Sequence, residues 1–195
     1  MSRLRLFTFS VVVCIIAVVG AAPVAQAAED YFLQIEANPA ITGESQDAKF
    51  KSAIEVDSFD WSASNNASPT TSAVPAKASL NRLAVEKPID SASPALFQRV
   101  ATATHFPSMR LTVRRAGPNP FIYLTYFFKS VFVTSVSPSG DGEAARERVT
   151  FAYGAVTQHY AQPTATGSRG TFFAAGWNQV TNAFEPPGGW PSVLE

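Results

Sequence analysis

The feature that most restricts the fold of this chain is a short predicted helix followed directly by a predicted strand. Both lie in residues 93–117, SPALFQRVATATHFPSMRLTVRRAG. Ser93 suits an N-cap, and Pro94 suits the first helical position, where its missing N–H costs nothing. Apolar side chains then share one face at helical spacing: Leu96, Phe97, Val100 and Ala101. A helix this short does not persist alone in water, so it must dock on a sheet.

The strand that follows the helix has one apolar face. Pro107 stops any continuation of the helix, and Met109, Leu111 and Val113 then alternate with polar residues. This stretch ends in Arg114 and Arg115, which predict a solvated strand end or a docking patch for an acidic neighbour.

Strand patterns dominate the rest of the chain. Residues 31–36, 80–86, 146–160 and 171–177 read as strands, and residues 51–61 change parity near Asp57-Ser58, which predicts a β-bulge or a bend. Residues 120–137 are apolar on both faces and predict one long bent strand or two joined strands. Such a strand needs cover by the core on one side and by a helix, loop or neighbouring subunit on the other. We therefore expect a mainly β fold, a small barrel or sandwich of about seven strands with one short α-helix.

Residues 1–27 have the three parts of a secretory signal peptide. Arg3 and Arg5 precede an apolar run, and the segment ends in Ala25-Gln26-Ala27, an A-x-A cleavage pattern. A membrane anchor is the alternative, because the uncharged stretch is long enough to span a bilayer. Gly20 and Pro23 break its far end and favour cleavage after Ala27. We expect an exported protein, periplasmic or extracellular, with no stable membrane span after cleavage.

Cleavage changes the charge and the cysteine content. Arg3 and Arg5 leave, so 13 basic residues face 15 acidic ones, a net charge near −2. That balance argues against nucleic acid as a partner, because phosphate binding needs a basic excess. Cys14 is the single cysteine and leaves with the signal. The mature chain therefore has no disulfide or thiol chemistry.

Two segments of the mature chain lack regular patterning. Residues 62–79 are rich in Ser, Asn, Thr, Ala and Pro and predict a long surface loop, a natural contact surface. Residues 181–195 form a Pro/Gly-rich tail for which we expect irregular structure. The domain between the signal and this tail spans residues 28–180.

The chain offers little for catalysis. Its two histidines are His105, placed to interact with the helix C-terminus, and His159, at a strand end. Neither has a partner at metal-ligand spacing, and the chain has neither a G-x-S-x-G elbow nor a phosphate-binding glycine loop after a strand. We predict no catalytic, cofactor-binding or metal-binding residues, and hence no enzyme.

Several ordered motifs resemble the Hcp family, the tube proteins of bacterial type VI secretion systems. They are DYFLQIE at 30–36, ITGESQDAKFKSAIEVDSFDW at 41–61, LAVEKPIDSASPALFQRVATATHFPSMRLTVRRAG at 83–117, YLTYFFKSVFVTSVS at 123–137 and GW at 176–177. The resemblance covers roughly residues 30–180.

The resemblance implies a β-barrel with one helix that forms six-membered rings, stacks into a hollow tube and carries effectors, without catalysis. It also implies that the loop at 62–79 reaches toward neighbouring subunits. The candidate contact residues in that loop are Asn65, Asn66, Ser68, Pro69 and Thr70.

The signal peptide departs from this family pattern, because tube-building members assemble in the cytoplasm. Either the chain is an exported relative, or translation starts later, at a non-Met codon such as that of Val24, since no internal Met precedes Met109. The complete targeting pattern favours export. Two functions remain: a ring-forming structural or carrier protein whose partners are copies of itself and secreted effectors, or an exported monomeric binding module that reuses the barrel.

Overall fold

The computed structural model describes residues 28–65, 78–117, 119–140, 142, 144–164 and 169–186. Several predicted features lie outside these ranges: the signal peptide with Ala25 and Ala27, the loop residues Asn66, Ser68, Pro69 and Thr70, and residues 187–195 of the tail.

The described residues form twelve strands and one helix. In chain order they are β1 (Glu29–Glu36), β2 (Ile54–Val56), β3 (Ser58–Asp60), β4 (Ala63–Ser64), β5 (Ser79–Leu80), β6 (Leu83–Pro88), α1 (Ser93–Thr102), β7 (Phe106–Arg115), β8 (Phe121–Ser139), β9 (Arg146–Ala152), β10 (Ala155–Pro163), β11 (Arg169–Asn178) and β12 (Ala183–Phe184). Seven of these strands have six residues or more, and five have only two or three. The prediction of a mainly β fold with one short helix is confirmed.

Strand β8 belongs to two antiparallel layers and joins them. Its first half pairs with β7 and β10, and its second half pairs with β9. The change comes at Ser130, whose φ of 53° interrupts the strand alternation. As a result Phe128 and Val131, three residues apart, are both fully buried. The predicted long bent strand is therefore a single element.

The two layers also meet on the opposite side of the core. One runs β12-β11-β10-β8-β7-β1-β2, and the other runs β3-β6-β9-β8. Between β2 and β3 lies Asp57, whose N–H donates to the carbonyl oxygen of Glu86 at 2.8 Å. The predicted parity change at Asp57 is thus the point at which the chain passes from one layer to the other.

The space between the layers holds one main apolar core. Its largest fully buried side chains come from both layers and from α1, and each contributes about 1.5–3 kcal/mol by leaving water. They are Leu33, Ile54, Leu83, Val85, Leu96, Phe106, Met109, Leu111, Phe128 and Phe151.

Helix α1 packs on β8 through Leu96, but two predictions about it are wrong. Phe97 is 66% exposed, because the face that meets the core is centred on Ala92, Ser93 and Leu96. Ser93 is also not the N-cap; that position falls on Ala92, which has no capping side chain. The Ser93 hydroxyl instead accepts a hydrogen bond from the Asp90 N–H at 3.1 Å. Among the described residues, no helix has the length and apolar character needed to cross a membrane.

Candidate assembly surface

The predicted contact loop leaves the body of the protein as a two-stranded ribbon. Its strands are β4 and β5, in which Ala63 pairs with Leu80 and Ser64 with Ser79. Ala63, Ser64 and Asn65 in β4 and after it are all exposed, whereas Leu80 in β5 is partly buried and packs against the core. Asn65 is the last described residue before the part of the loop that carries the other candidate contact residues.

The root of the ribbon is fixed to the core by a short hydrogen-bond chain. The Trp61 indole N–H donates to the Tyr153 hydroxyl, which donates to the carbonyl oxygen of Asn81 at 2.8 Å. Asn81 in turn donates through its backbone N–H to the Ser62 carbonyl at 2.9 Å. Burial raises the pKa of Tyr153 to about 12, so its hydroxyl keeps the proton that it donates. The loop therefore starts from a rigid base.

A second exposed feature is the outer edge of β11. One side of β11 pairs with β10 along nearly its whole length, from Asn178 to Arg169. On the other side, within the described ranges, only Trp177 and Asn178 have strand partners, both in β12. Within the described ranges, strand pairing on this side of β11 is therefore short.

Exposed aromatic side chains lie beside this edge. Tyr160 in β10 and Phe173 in β11 are register partners, their ring centroids are 6.4 Å apart, and Phe173 is 54% exposed. Phe184 in β12 is also exposed. Rigid aromatic groups of this kind are enriched at the centres of protein interfaces.

Arg114 is not the solvated residue that the sequence suggested. Its guanidinium pairs with Asp30 and Asp47, each at 2.7 Å, and lies over the Phe32 ring at 4.9 Å. Phe32 stacks on Phe50 with ring centroids 4.3 Å apart. Arg114 therefore holds residues 42–53 against β1 and β7, and the hydrogen bond from Arg114 lowers the pKa of Asp47.

A buried ion network lies at the start of α1. The Lys87 ammonium is fully buried and contacts Glu147 at 2.8 Å, Asp90 at 2.7 Å and the Pro88 carbonyl at 2.8 Å. The Ser93 hydroxyl donates to Glu147 at 2.7 Å. The network ties β6, β9 and the helix start together, and its polar atoms are satisfied, as burial of charge requires.

The two histidines lie in different environments. His159 is buried and its ring stacks on Phe172 with centroids 5.8 Å apart. His105 is exposed, with its ring 5.4 Å from that of Phe132. In the part of the chain that the structure describes, no group of three His, Cys, Asp or Glu side chains could hold a metal ion.

Two of these features were missed by reasoning from the sequence. Lys87 was not predicted to be a buried charge, although a lysine at the end of an apolar strand, followed by Asp90, is a signal that it needs an acidic partner. The edge of β11 has no such signal, because strand order in a sheet is set by distant segments.

Comparison with known proteins gives a consistent family match. A family model described as "Type VI secretion system effector, Hcp" matches residues 32–160. Protein hcp1 of Pseudomonas aeruginosa is 35% identical over 106 residues, which cover 52% of this chain and 65% of that protein. The match thus spans just under two thirds of the relative's length.

Solved structures extend the likeness to most of the fold. The crystal structure of Hcp1 from Salmonella typhimurium is 35% identical, with a TM-score of 0.66 over 81% of this chain and 99% of that one. A structure described as a type six secretion system protein is 28% identical, with a TM-score of 0.74 over 81% of this chain and all of that one.

Proposed function

We propose that this chain, which belongs to the Hcp family of type VI secretion proteins, is a ring-forming structural or carrier protein. From the targeting pattern in residues 1–27 we further propose that it is exported. The family match over residues 32–160 carries the proposal. Proteins of this family are structural tube proteins and not enzymes. The partners that follow from this role are further copies of the chain and secreted effector cargo.

The ribbon-rooted loop is the proposed subunit contact. Its base is held by Trp61, Tyr153 and Asn81, and its last described residue on the β4 side, Asn65, is exposed to solvent. A rigid base suits a segment that reaches a neighbour, because less ordering entropy is then lost on contact. We assign the contact to Asn65, Asn66, Ser68, Pro69 and Thr70.

Export is the second part of the proposal. Cleavage after Ala27 would keep all of β1, which starts at Glu29, and would keep Ala28, whose carbonyl accepts from the Ala116 N–H at 2.8 Å. The proposed mature chain therefore comprises the domain at 28–180 and its tail. N-terminal sequencing of protein recovered outside the cytoplasm should begin at Ala28, and an intact Met1 in cytoplasmic protein contradicts export.

Shortening the loop tests the assigned contact. Residues 66–77 are replaced by a short Gly-Ser linker that joins β4 to β5, with the paired residues Ala63, Ser64, Ser79 and Leu80 kept. We expect unchanged circular dichroism and a lower oligomer mass by light scattering at micromolar protein. A loop-shortened protein with the full assembled mass overturns the assignment.

A further inference from the structure

The layer that runs from β12 to β2 has a second face, on the side opposite the main core. We call it the back face and define it by one row of register partners across β7, β8, β10 and β11: Arg110, Phe127, Thr157 and Gly176. At one end of the back face, Phe50 stacks on Phe32 and brings residues 42–53 over β1. Among the described helices and strands, none packs over the row itself.

Two polar side chains of β7 on this face are shielded from solvent without a partner. The Arg110 guanidinium lies over the Phe127 ring at 5.6 Å, and its Nε has no hydrogen-bond partner in the described part of the chain. The same is true of the fully buried Thr112 hydroxyl, two residues further along the strand. The register partners of Arg110 are Gln34 and Phe127, neither of which is a carboxylate. Burial lowers the pKa of Arg110, and a carboxylate beside it would stabilise its charge.

The chain is led onto the back face just after β12. The Glu185 N–H donates to the Gly176 carbonyl at 3.1 Å, and a Cβ at Gly176 would lie 2.5 Å from the Glu185 carbonyl oxygen. Only glycine fits there without displacement, so β11 is adapted to this close approach. The Glu185 carboxylate pairs with the Lys129 ammonium at 2.6 Å, and Lys129 lies two residues from Phe127 on the same face of β8. Pro186, the next residue, is therefore placed at the Gly176 end of the row.

The residues that follow Pro186 have the length and the chemistry to cross this face. The distance from β11 to β7 is about 14 Å, three strand spacings of about 4.8 Å. Residues 187–195, PGGWPSVLE, span up to about 30 Å when extended. Their one charged side chain is the carboxylate of Glu195, and their large apolar side chains are Trp190, Val193 and Leu194. The apolar groups are complementary to the Phe127 ring, and the carboxylate is complementary to Arg110.

We propose that residues 187–195 pack across the back face from β11 to β7, and that the Glu195 carboxylate pairs with the Arg110 guanidinium. The apolar side chains of this segment cover Phe127, and the ion pair supplies the counter-charge that the neighbouring strands lack. Such docking needs no regular structure in a segment that is rich in proline and glycine. It takes place within one chain, so it is independent of whether the protein is a ring or a monomer.

Disulfide capture tests where the segment lies, because residues 28–195 contain no cysteine. The full mature protein carries Leu194→Cys together with Gln34→Cys, at the register partner of Arg110. The matched control carries Leu194→Cys together with Gln158→Cys, since Gln158 is also exposed but lies on the opposite face of β10. Equilibration with glutathione, followed by mass spectrometry of the non-reduced protein, gives the effective concentration of each thiol pair.

We expect the effective concentration to be about tenfold higher or more for the pair at 34 and 194 than for the pair at 158 and 194. A tethered but undocked segment would reach both faces alike. Equal capture at the two positions therefore overturns the docking.

The ion pair is tested in the protein that carries Q34C and L194C. Arg110→Gln and Glu195→Gln should each lower the effective concentration about threefold, in line with a solvent-accessible ion pair. Arg82→Gln is the control, because Arg82 is exposed and the change in net charge equals that of R110Q. An unchanged value in E195Q, which leaves every described residue in place, overturns the assigned pair, as does an equal loss in R82Q and R110Q.

Discussion

Lys87 is a fully buried lysine whose ammonium pairs with two acidic side chains. Its ammonium is the only positive charge in contact with the buried Glu147 among the described residues, and it also binds Asp90 and the Pro88 carbonyl. A buried pair of this kind adds little net stability over a well-packed apolar pair, but the loss of one partner leaves an uncompensated buried charge. The network therefore acts by specifying where the start of α1 meets β6 and β9.

Lys87→Met should lower the free energy of unfolding by about 3–5 kcal/mol, because the buried Glu147 loses its counter-ion. Urea denaturation at neutral pH measures this loss. The double variant Lys87→Met with Glu147→Gln should lose less than the sum of the two single variants. Additive losses in that cycle contradict the buried pair.

The ionisation of Asp47 makes the free energy of unfolding depend on pH in the acid range. The Arg114 hydrogen bond lowers its pKa below the ordinary 3.8, so the charged form is favoured in the folded state. Such a group stabilises the fold above the unfolded-state pKa, and this stabilisation is lost as pH falls through the lower folded-state pKa. Asp47 therefore contributes fully near neutral pH and progressively less below pH 3.8.

Asp47→Asn should flatten this acid dependence. Asn keeps an oxygen that can accept from the Lys49 and Phe50 N–H groups, now at 2.9 and 3.1 Å from Asp47, but it loses the charge that pairs with Arg114. Urea midpoints at pH 5, 3 and 2 measure the effect. The unchanged protein should lose more stability between pH 5 and 2 than D47N does, and parallel curves contradict the assignment.

At the scale of elements, the Tyr153 hydroxyl links the base of the β4–β5 ribbon to the core. Tyr153 accepts from Trp61 and donates to Asn81, so Tyr153→Phe leaves a partly buried indole N–H and a carbonyl without their partner. We expect a loss of about 1–3 kcal/mol and faster hydrogen exchange at the ribbon root. Tyr160→Phe, on the exposed side of β10, is the control and should change neither. Equal behaviour of the two variants contradicts the anchoring role.

Elements with strong local patterns were predictable from the sequence. The alternation of Met109, Leu111 and Val113 and the parity change at Asp57 both correspond to structure, because each depends on neighbours along the chain. The helical spacing placed Phe97 on the same buried face as Leu96. In the structure Leu96 is fully buried and Phe97 is exposed, because the contact between helix and sheet is centred on Leu96.

Long-range partners were not predictable in this way. Ser93 is a residue type that N-caps prefer, yet its hydroxyl donates a hydrogen bond to Glu147 and accepts one from the Asp90 N–H. Glu147 comes close to Ser93 only because β9 pairs with β6. The short strand β12 falls within the tail expected to be irregular, because its two residues are ordered by pairing with Trp177 and Asn178 and not by their own propensity.

At the scale of the whole molecule, the residues that stabilise the fold and the residues proposed for subunit contact lie in different parts of the chain. The core between the two layers holds the fold without any disulfide, since the single cysteine lies in residues 1–27. The exposed residues of β4 lie outside that core, so changes there should alter association more than folding. We propose that the ring forms through the loop between β4 and β5.

The mass of the mature protein, residues 28–195, tests this account most directly. Size-exclusion chromatography with light scattering at micromolar concentration should give six times the mass of the chain. A stable monomer over the whole concentration range contradicts the ring and favours an exported binding module that reuses the Hcp fold.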